Sequence, residues 1–148
     1  MLLKRILSWI GIALVVVLVA IQLVPYGRRH TNLPGRVEPP WDRQATRALA
    51  VRACYDCHSN ETIWPWYSHV APMSWLAQRD VEEGRRKLNF SEWDRPQKEA
   101  HESAKSVRKG EMPPWFYVPL HPDARLTAEE TRALIAGLEA TLGRKDRR

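Results

Sequence analysis

Residues 54–67 read Cys-Tyr-Asp-Cys-His-Ser-Asn-Glu-Thr-Ile-Trp-Pro-Trp-Tyr and hold both cysteines of the 148-residue chain. Two thiols three positions apart, followed at once by an imidazole, allow three chemistries. Zinc sites draw four ligands from Cys and His, usually as two knuckles, and this chain has no second cysteine pair. A thioredoxin-like dithiol works within a βαβ setting, and no such pattern is present. Covalent haem attachment needs two sulfurs on one helical face and a histidine immediately after them, which is the spacing of Cys54, Cys57 and His58. The residues therefore favour haem, with a dithiol and a zinc knuckle as the weaker alternatives.

Upstream, Asp42–His58 reads as a helix starting near Asp42, whose carboxylate would accept first-turn amides. Ala50, Ala53, Cys54 and Cys57 recur at spacings of three and four, a small-residue face that admits a helix or a flat ligand. Downstream, residues 72–87 predict a helix with Pro72 in its first turn, Leu76 and Val81 inward, and Gly84 weakening its end. A third helix is predicted from Ser91 to Lys109, with Ser91 and Asp94 spaced as a capping box and Gly110 as the stop. The clearest is the last: Thr127 and Glu130 form T-x-x-E, Leu134, Ile135, Leu138 and Leu142 make an apolar stripe, and Gly143 ends it. No segment alternates apolar and polar residues over a strand's length, so the expected class is all-α.

The N-terminus is of another kind. Lys4 and Arg5 precede nineteen uncharged residues, Ile6–Val24, long enough for a helix of roughly 28 Å, about the hydrocarbon thickness of a bilayer. Signal peptides have shorter apolar regions and end in small residues, whereas Ala20 is followed by Ile21, Gln22 and Leu23; an uncleaved single-pass anchor over residues 1–24 is the expectation. Residues 25–41, rich in Pro, Gly and Arg, read as a linker, 42–143 as one domain, and 144–148 as a basic tail. The net charge of +6 is concentrated at the two ends, and the balance between them is close to neutral, so nucleic acid is not an expected partner.

The run CYDCHSNETIWPWYSHVAPMSWL, then DVEEGRRKLNFSEW, then KGEMPP followed by HPDARLTAEE resembles the bacterial haem-binding domain family, small single-haem proteins related to c-type cytochromes. The resemblance covers roughly residues 40–142. It implies one covalent haem c per chain and an all-helical, cytochrome c-like domain. Haem attachment in bacteria is completed outside the cytoplasmic membrane, so the domain is expected in the periplasm, with Met1 inside.

His58 is then the expected proximal iron ligand. Met112 is the leading distal candidate, since it follows the Gly110 stop in a loop whose backbone Pro113 and Pro114 restrict. Met73, His69, His101 and His121 are the alternatives, along with an open site. Trp64, Trp66, Tyr67 and Trp75 can supply apolar pocket walls with polar tips, or ordinary core. Arg85 and Arg86 can pair with haem propionates, although exposure on a polar face is the expectation for both. Asn60 is read as a cap or turn after His58. The functional expectation is a membrane-tethered single-electron carrier serving redox partner proteins, rather than an enzyme. The alternatives are a haem sensor or peroxidase-like protein with an open distal site, and a haem-free tethered dithiol protein.

Overall fold

The computed structural model describes residues 1–143; the basic tail lies outside the described residues. Six α-helices follow in order: α1 (Leu2–Ile21), α2 (Gln44–Ala53), α3 (Tyr55–His58), α4 (Met73–Lys87), α5 (Ser103–Arg108) and α6 (Ala128–Leu142), with single 3₁₀ turns at Trp66–His69, Ala100–Glu102 and Pro122–Ala124. Among the described residues there is no strand, only an isolated bridge between Val37 and Glu92, and the all-α class holds. The chain forms two compact units, Met1–Thr31 with Trp64–Asp80, and Asn32–Ile63 with the residues from Val81 onward; α4 is shared between them.

In the first unit, α1 is twenty residues of almost wholly apolar sequence with no buried residue, long and apolar enough to cross a membrane. After it the chain turns at Gln22–Val24, and the Gln22 amide both donates to the Ala71 carbonyl (2.9 Å) and accepts from the Ala71 N–H (3.0 Å). Gly27 sits at φ +81° with its Cα against the Ser74 carbonyl, where no side chain would fit. His30 stacks on Trp64 (4.5 Å between centroids), meets His69 edge-on (4.3 Å) and donates from Nε2 to the Ser68 carbonyl (2.9 Å).

The second unit holds the hydrophobic core. α6 packs on α5 and on α2, and its Leu134, Leu138 and Leu142 close over Ala50, Tyr55, Phe90, Ala104 and Val107. Its start is the predicted one, because the Thr127 side chain accepts from the Glu130 amide while Glu130 reaches back to the Thr127 amide. Gly137 lets α6 approach α2 closely: a Cβ there would overlap the Thr46 side chain. Gly110, at φ +71°, lies two residues beyond α5 as the sequence implied.

Three expectations are corrected. Asp42 does not cap α2; the N-cap is Arg43, and the Asp42 carboxylate instead accepts from Arg43 Nε (2.8 Å) while its amide donates to Thr141 Oγ1 (3.1 Å). Leu76 faces outward while Val81 is buried, although α4 itself ends at Lys87 as expected. The helix predicted over Ser91–Lys109 is reduced to its last turns. Ser91 is buried and accepts from the Asn60 amide through Oγ (3.0 Å), and Asn89 Oδ1 accepts from the Ser91 amide (2.9 Å), so these side chains hold the backbone in turns that compete with a helix. The segment before α2 is paired to this loop: Arg36 N–H donates to the Ser91 carbonyl (2.8 Å) and Trp93 N–H to the Val37 carbonyl (2.8 Å).

Glu38 anchors the same segment to α2. Its carboxylate accepts two bonds from Arg47 (2.7 and 2.5 Å) and one from Trp41 Nε1 (2.9 Å), and the Arg47 guanidinium holds its pKa below the ordinary carboxylate value. A lowered folded pKa means that this contribution is present above the unfolded value and disappears as pH falls through the folded one. Glu38→Gln is expected to cost about 1–2 kcal/mol at neutral pH. The gap from the parent protein should close below about pH 4, measured by urea unfolding at a series of pH values.

Candidate functional site

The predicted continuous helix from α2 into the cysteine motif is interrupted at Cys54, whose backbone (φ −131°, ψ −31°) leaves the helical region. A new turn, α3, starts at Tyr55, whose aromatic ring is buried against Phe90 at 5.5 Å between centroids. The Cys54 carbonyl accepts from both the Cys57 amide (3.2 Å) and the His58 amide (2.9 Å), so Cys54, Cys57 and His58 are still carried by one turn. Neither cysteine is in a disulfide, and both are partly buried. Burial pushes the Cys54 thiol up to about 12, the opposite of what a nucleophilic, exchanging dithiol requires.

His58 is oriented from behind. Its Nδ1 donates to the Leu88 carbonyl (3.1 Å), and its own carbonyl accepts from the Phe90 amide (2.8 Å). That bond fixes the tautomer and leaves Nε2 as the lone-pair nitrogen. Burial lowers the His58 pKa, with the Leu88 hydrogen bond opposing it, so the ring is held neutral, the state in which imidazole ligates a metal.

The Leu88 carbonyl lies just past α4, and α4 can stand this close to α3 because of Gly84. A Cβ at position 84 would lie well inside van der Waals contact with the Cys57 carbonyl oxygen. By propensity Gly84 weakens the helix; in the fold it also permits this close approach, a use of glycine that propensity does not reveal.

The exit from the motif is held by a buried polar cluster. Asn89 Nδ2 donates to Asn60 Oδ1 (2.8 Å), and Asn60 Nδ2 donates to Glu92 Oε1 (2.9 Å). Arg85 donates to the Ser59 carbonyl (2.7 Å), Thr62 Oγ1 (2.9 Å) and Asn32 Oδ1 (2.9 Å), and burial lowers its pKa. Arg85 is therefore not a free surface cation, whereas Arg86 is exposed and pairs with Glu83 at 3.5 Å. Asn89 was not visible as a site residue, since a lone Asn in a loop looks like any turn former until its buried partners are known.

Asp56, inside the motif, joins it to the loop that carries Met112. Its carboxylate accepts from Tyr117 Oη (2.5 Å) and from the Ile63 amide (2.9 Å), and His121 Nδ1 lies 3.8 Å away, stacked on Tyr117 with centroids 3.9 Å apart. Burial lowers the His121 pKa, partly offset by Asp56. The Met112 amide faces the Ser106 carbonyl (3.4 Å), and the residue is 39% exposed. Met112 precedes Tyr117 by five residues, which span at most ~17 Å of chain, so the Tyr117–Asp56 bond keeps Met112 in the neighbourhood of the cysteines. Tyr117→Phe should cost about 1–2 kcal/mol and speed amide exchange over residues 111–121 roughly tenfold, while exchange in α6 is unchanged. Hydrogen-exchange mass spectrometry reads this directly.

The other predicted residues are dispersed. Trp64, Trp66, Tyr67, Trp75, His69 and Met73 belong to the first unit, whereas Cys54, Cys57, His58 and Met112 belong to the second. Trp64 and Trp75 are partly buried, and their indole N–H groups are buried with no acceptor among the described residues; Trp66 is exposed. His101 is exposed beside Glu102 (3.6 Å). No group of three or more His, Cys, Asp or Glu side chains among the described residues forms a metal cluster, so nothing there rebuilds a zinc knuckle around the cysteines.

Two thiols on one turn, a neutral imidazole whose Nδ1 is held by a carbonyl, and a small-residue approach to α4 form a donor set that fits a haem. No curated protein and no solved structure matches the chain. The model of the haem-binding domain family matches residues 16–140, most of the chain, and the protein accordingly belongs to that family of haem-binding proteins.

Proposed function

We propose that this protein is a membrane-anchored c-type cytochrome that carries single electrons between redox partner proteins in the periplasm. Cys54 and Cys57 would hold the haem by adding their S–H groups across its two vinyls, His58 Nε2 would ligate the iron, and Met112 sulfur would be its second protein ligand. The haem iron supplies the one-electron chemistry when bound. What this chain supplies is a fixed imidazole, two attachment sulfurs and a loop tied to the motif through Asp56 and Tyr117. The observation that carries the reading is the His58–Leu88 hydrogen bond, which presents Nε2 from the turn that also bears both thiols.

α1 would serve as a single-pass anchor in the cytoplasmic membrane, with the cysteines on the periplasmic side, where haem attachment is completed. A chain with only two cysteines offers no mispaired disulfide in that compartment.

Met112 is the least enclosed of the proposed ligands, and its exposure favours one second reading: a sensor or peroxidase-like protein in which the distal position opens. The optical spectrum separates the two. A carrier should show a methionine-to-iron charge-transfer band when oxidised, lost in Met112→Ala together with a fall in reduction potential. A high-spin parent spectrum with ready carbon monoxide binding would support the sensor or peroxidase and count against the carrier.

A further inference from the structure

The segment packed beside the end of α1 has its polarity inside out. Ser68, Ala71 and Ser74 are buried at spacings of three, while large apolar residues between and beside them are exposed: Trp66 80%, Val70 49%, Met73 36% and Leu76 39%. A water-facing surface of a folded domain places these residues the other way round. Small residues inward and large apolar residues outward is the arrangement of a segment that packs on a neighbour and meets lipid.

Its location within the first unit is fixed by three ties to the stretch that leaves α1. Gln22, the first residue past the helix, bonds Ala71 in both directions; Gly27 packs on Ser74; His30 binds the Ser68 carbonyl. α1 is about 30 Å long, the thickness of the hydrocarbon core, so Gln22 stands at one of its edges. Ala71, bonded to Gln22, stands at the same depth, and Val70 and Met73 flank it in sequence. Trp66, held edge-on to Tyr67 at 6.0 Å, offers the amphipathic ring that concentrates at membrane–water boundaries. The exposed Arg28 and Arg29 lie on the connecting stretch and suit lipid phosphates.

We propose that Trp66–Leu76 is a lipid-contacting platform, seated in the headgroup layer beside the Ile21 end of α1. Its occupant is the same bilayer that holds the anchor, so the proposal rests on the reading of α1 as a membrane span. The platform fixes the depth of the first unit through Gln22 and Ala71, so the unit is seated on the bilayer surface rather than hanging from a loose tether.

The test uses the full chain reconstituted in phosphatidylcholine–phosphatidylglycerol vesicles containing a clickable lipid. The photo-crosslinker p-benzoylphenylalanine is placed at position 66 in one preparation and at position 10, within α1, in another. Trp66 is exposed, so its replacement leaves the fold intact. The expected result is lipid adduct at position 66 within about threefold of that at position 10. Lipid adduct at position 10, with none or only protein adduct at position 66, would overturn the platform while the anchor stands. Absence of lipid adduct at position 10 would instead remove the anchor reading, and the platform with it.

Discussion

Replacing both attachment residues, Cys54→Ala with Cys57→Ala, should abolish the haem-stained band on a denaturing gel when the protein is co-expressed with cytochrome c maturation machinery. Helix content should be retained, because neither thiol is bonded to the other and alanine keeps a small apolar side chain at each position. Each single variant should keep one thioether and a weaker stain, with a shifted optical band from the vinyl left intact. His58→Ala is the informative contrast. It leaves both sulfurs in place, so haem should stay on the chain in denaturant while the spectrum loses its low-spin character. Attachment and ligation are thereby measured separately. A double-alanine variant that stains as strongly as the parent would end the covalent reading.

The second large effect is expected at Gly84→Ala. Helix propensity alone predicts a gain of up to about 1 kcal/mol, since Gly is the poorest ordinary helix former and this position is inside α4. The packing predicts the reverse. The new methyl would overlap the Cys57 carbonyl oxygen, and what must move is backbone in both helices rather than the end of a flexible side chain. A cost of about 3 kcal/mol is expected, with covalent haem yield reduced because Leu88, which holds His58, is displaced along with α4. Gly35→Ala, where an added Cβ has nothing within 4 Å, is the matched control and should be near neutral. Chemical denaturation of the three proteins, with haem content measured in parallel, reads both consequences; a stabilised Gly84→Ala would show that propensity outweighs packing here.

The parts of this fold that could be read in advance are those set by local chemistry. The T-x-x-E start of α6 and its leucine stripe are determined within a few residues of chain, as is the glycine after α5, and all three stand as read. The parts that could not be read are set by partners distant in sequence. Cys54 leaves the helix where Tyr55 is drawn into contact with Phe90, thirty-five residues on. Ser91 looked like a helix cap because its spacing to Asp94 is right, but its hydroxyl is taken by the Asn60 amide and its own amide by Asn89. The outward face of Leu76 and the close approach at Gly84 escape local reading for the same reason, since both depend on what packs against each face of α4.

The candidate site divides in the same way. Cys54, Cys57 and His58 form a contiguous motif whose chemistry follows from residue type and spacing. The groups that orient it, the Leu88 carbonyl, Asn89, Arg85 and Tyr117, are a backbone atom and three ordinary polar side chains. Nothing in their local sequence marks them, because their selection is by position in the folded unit. The aromatic cluster after the motif is the converse case. Its composition marks it out, but the stacking of Trp64 on His30 and the exposure of Trp66 are set by the fold rather than by neighbouring residues.

Intact-mass spectrometry of the purified full chain under denaturing conditions tests the central claim most directly. The account predicts a single species at the mass of the polypeptide plus one haem, with fragmentation placing the addition on the peptide that contains Cys54 and Cys57. A polypeptide at its unmodified mass, or haem that departs when the fold is lost, would contradict it.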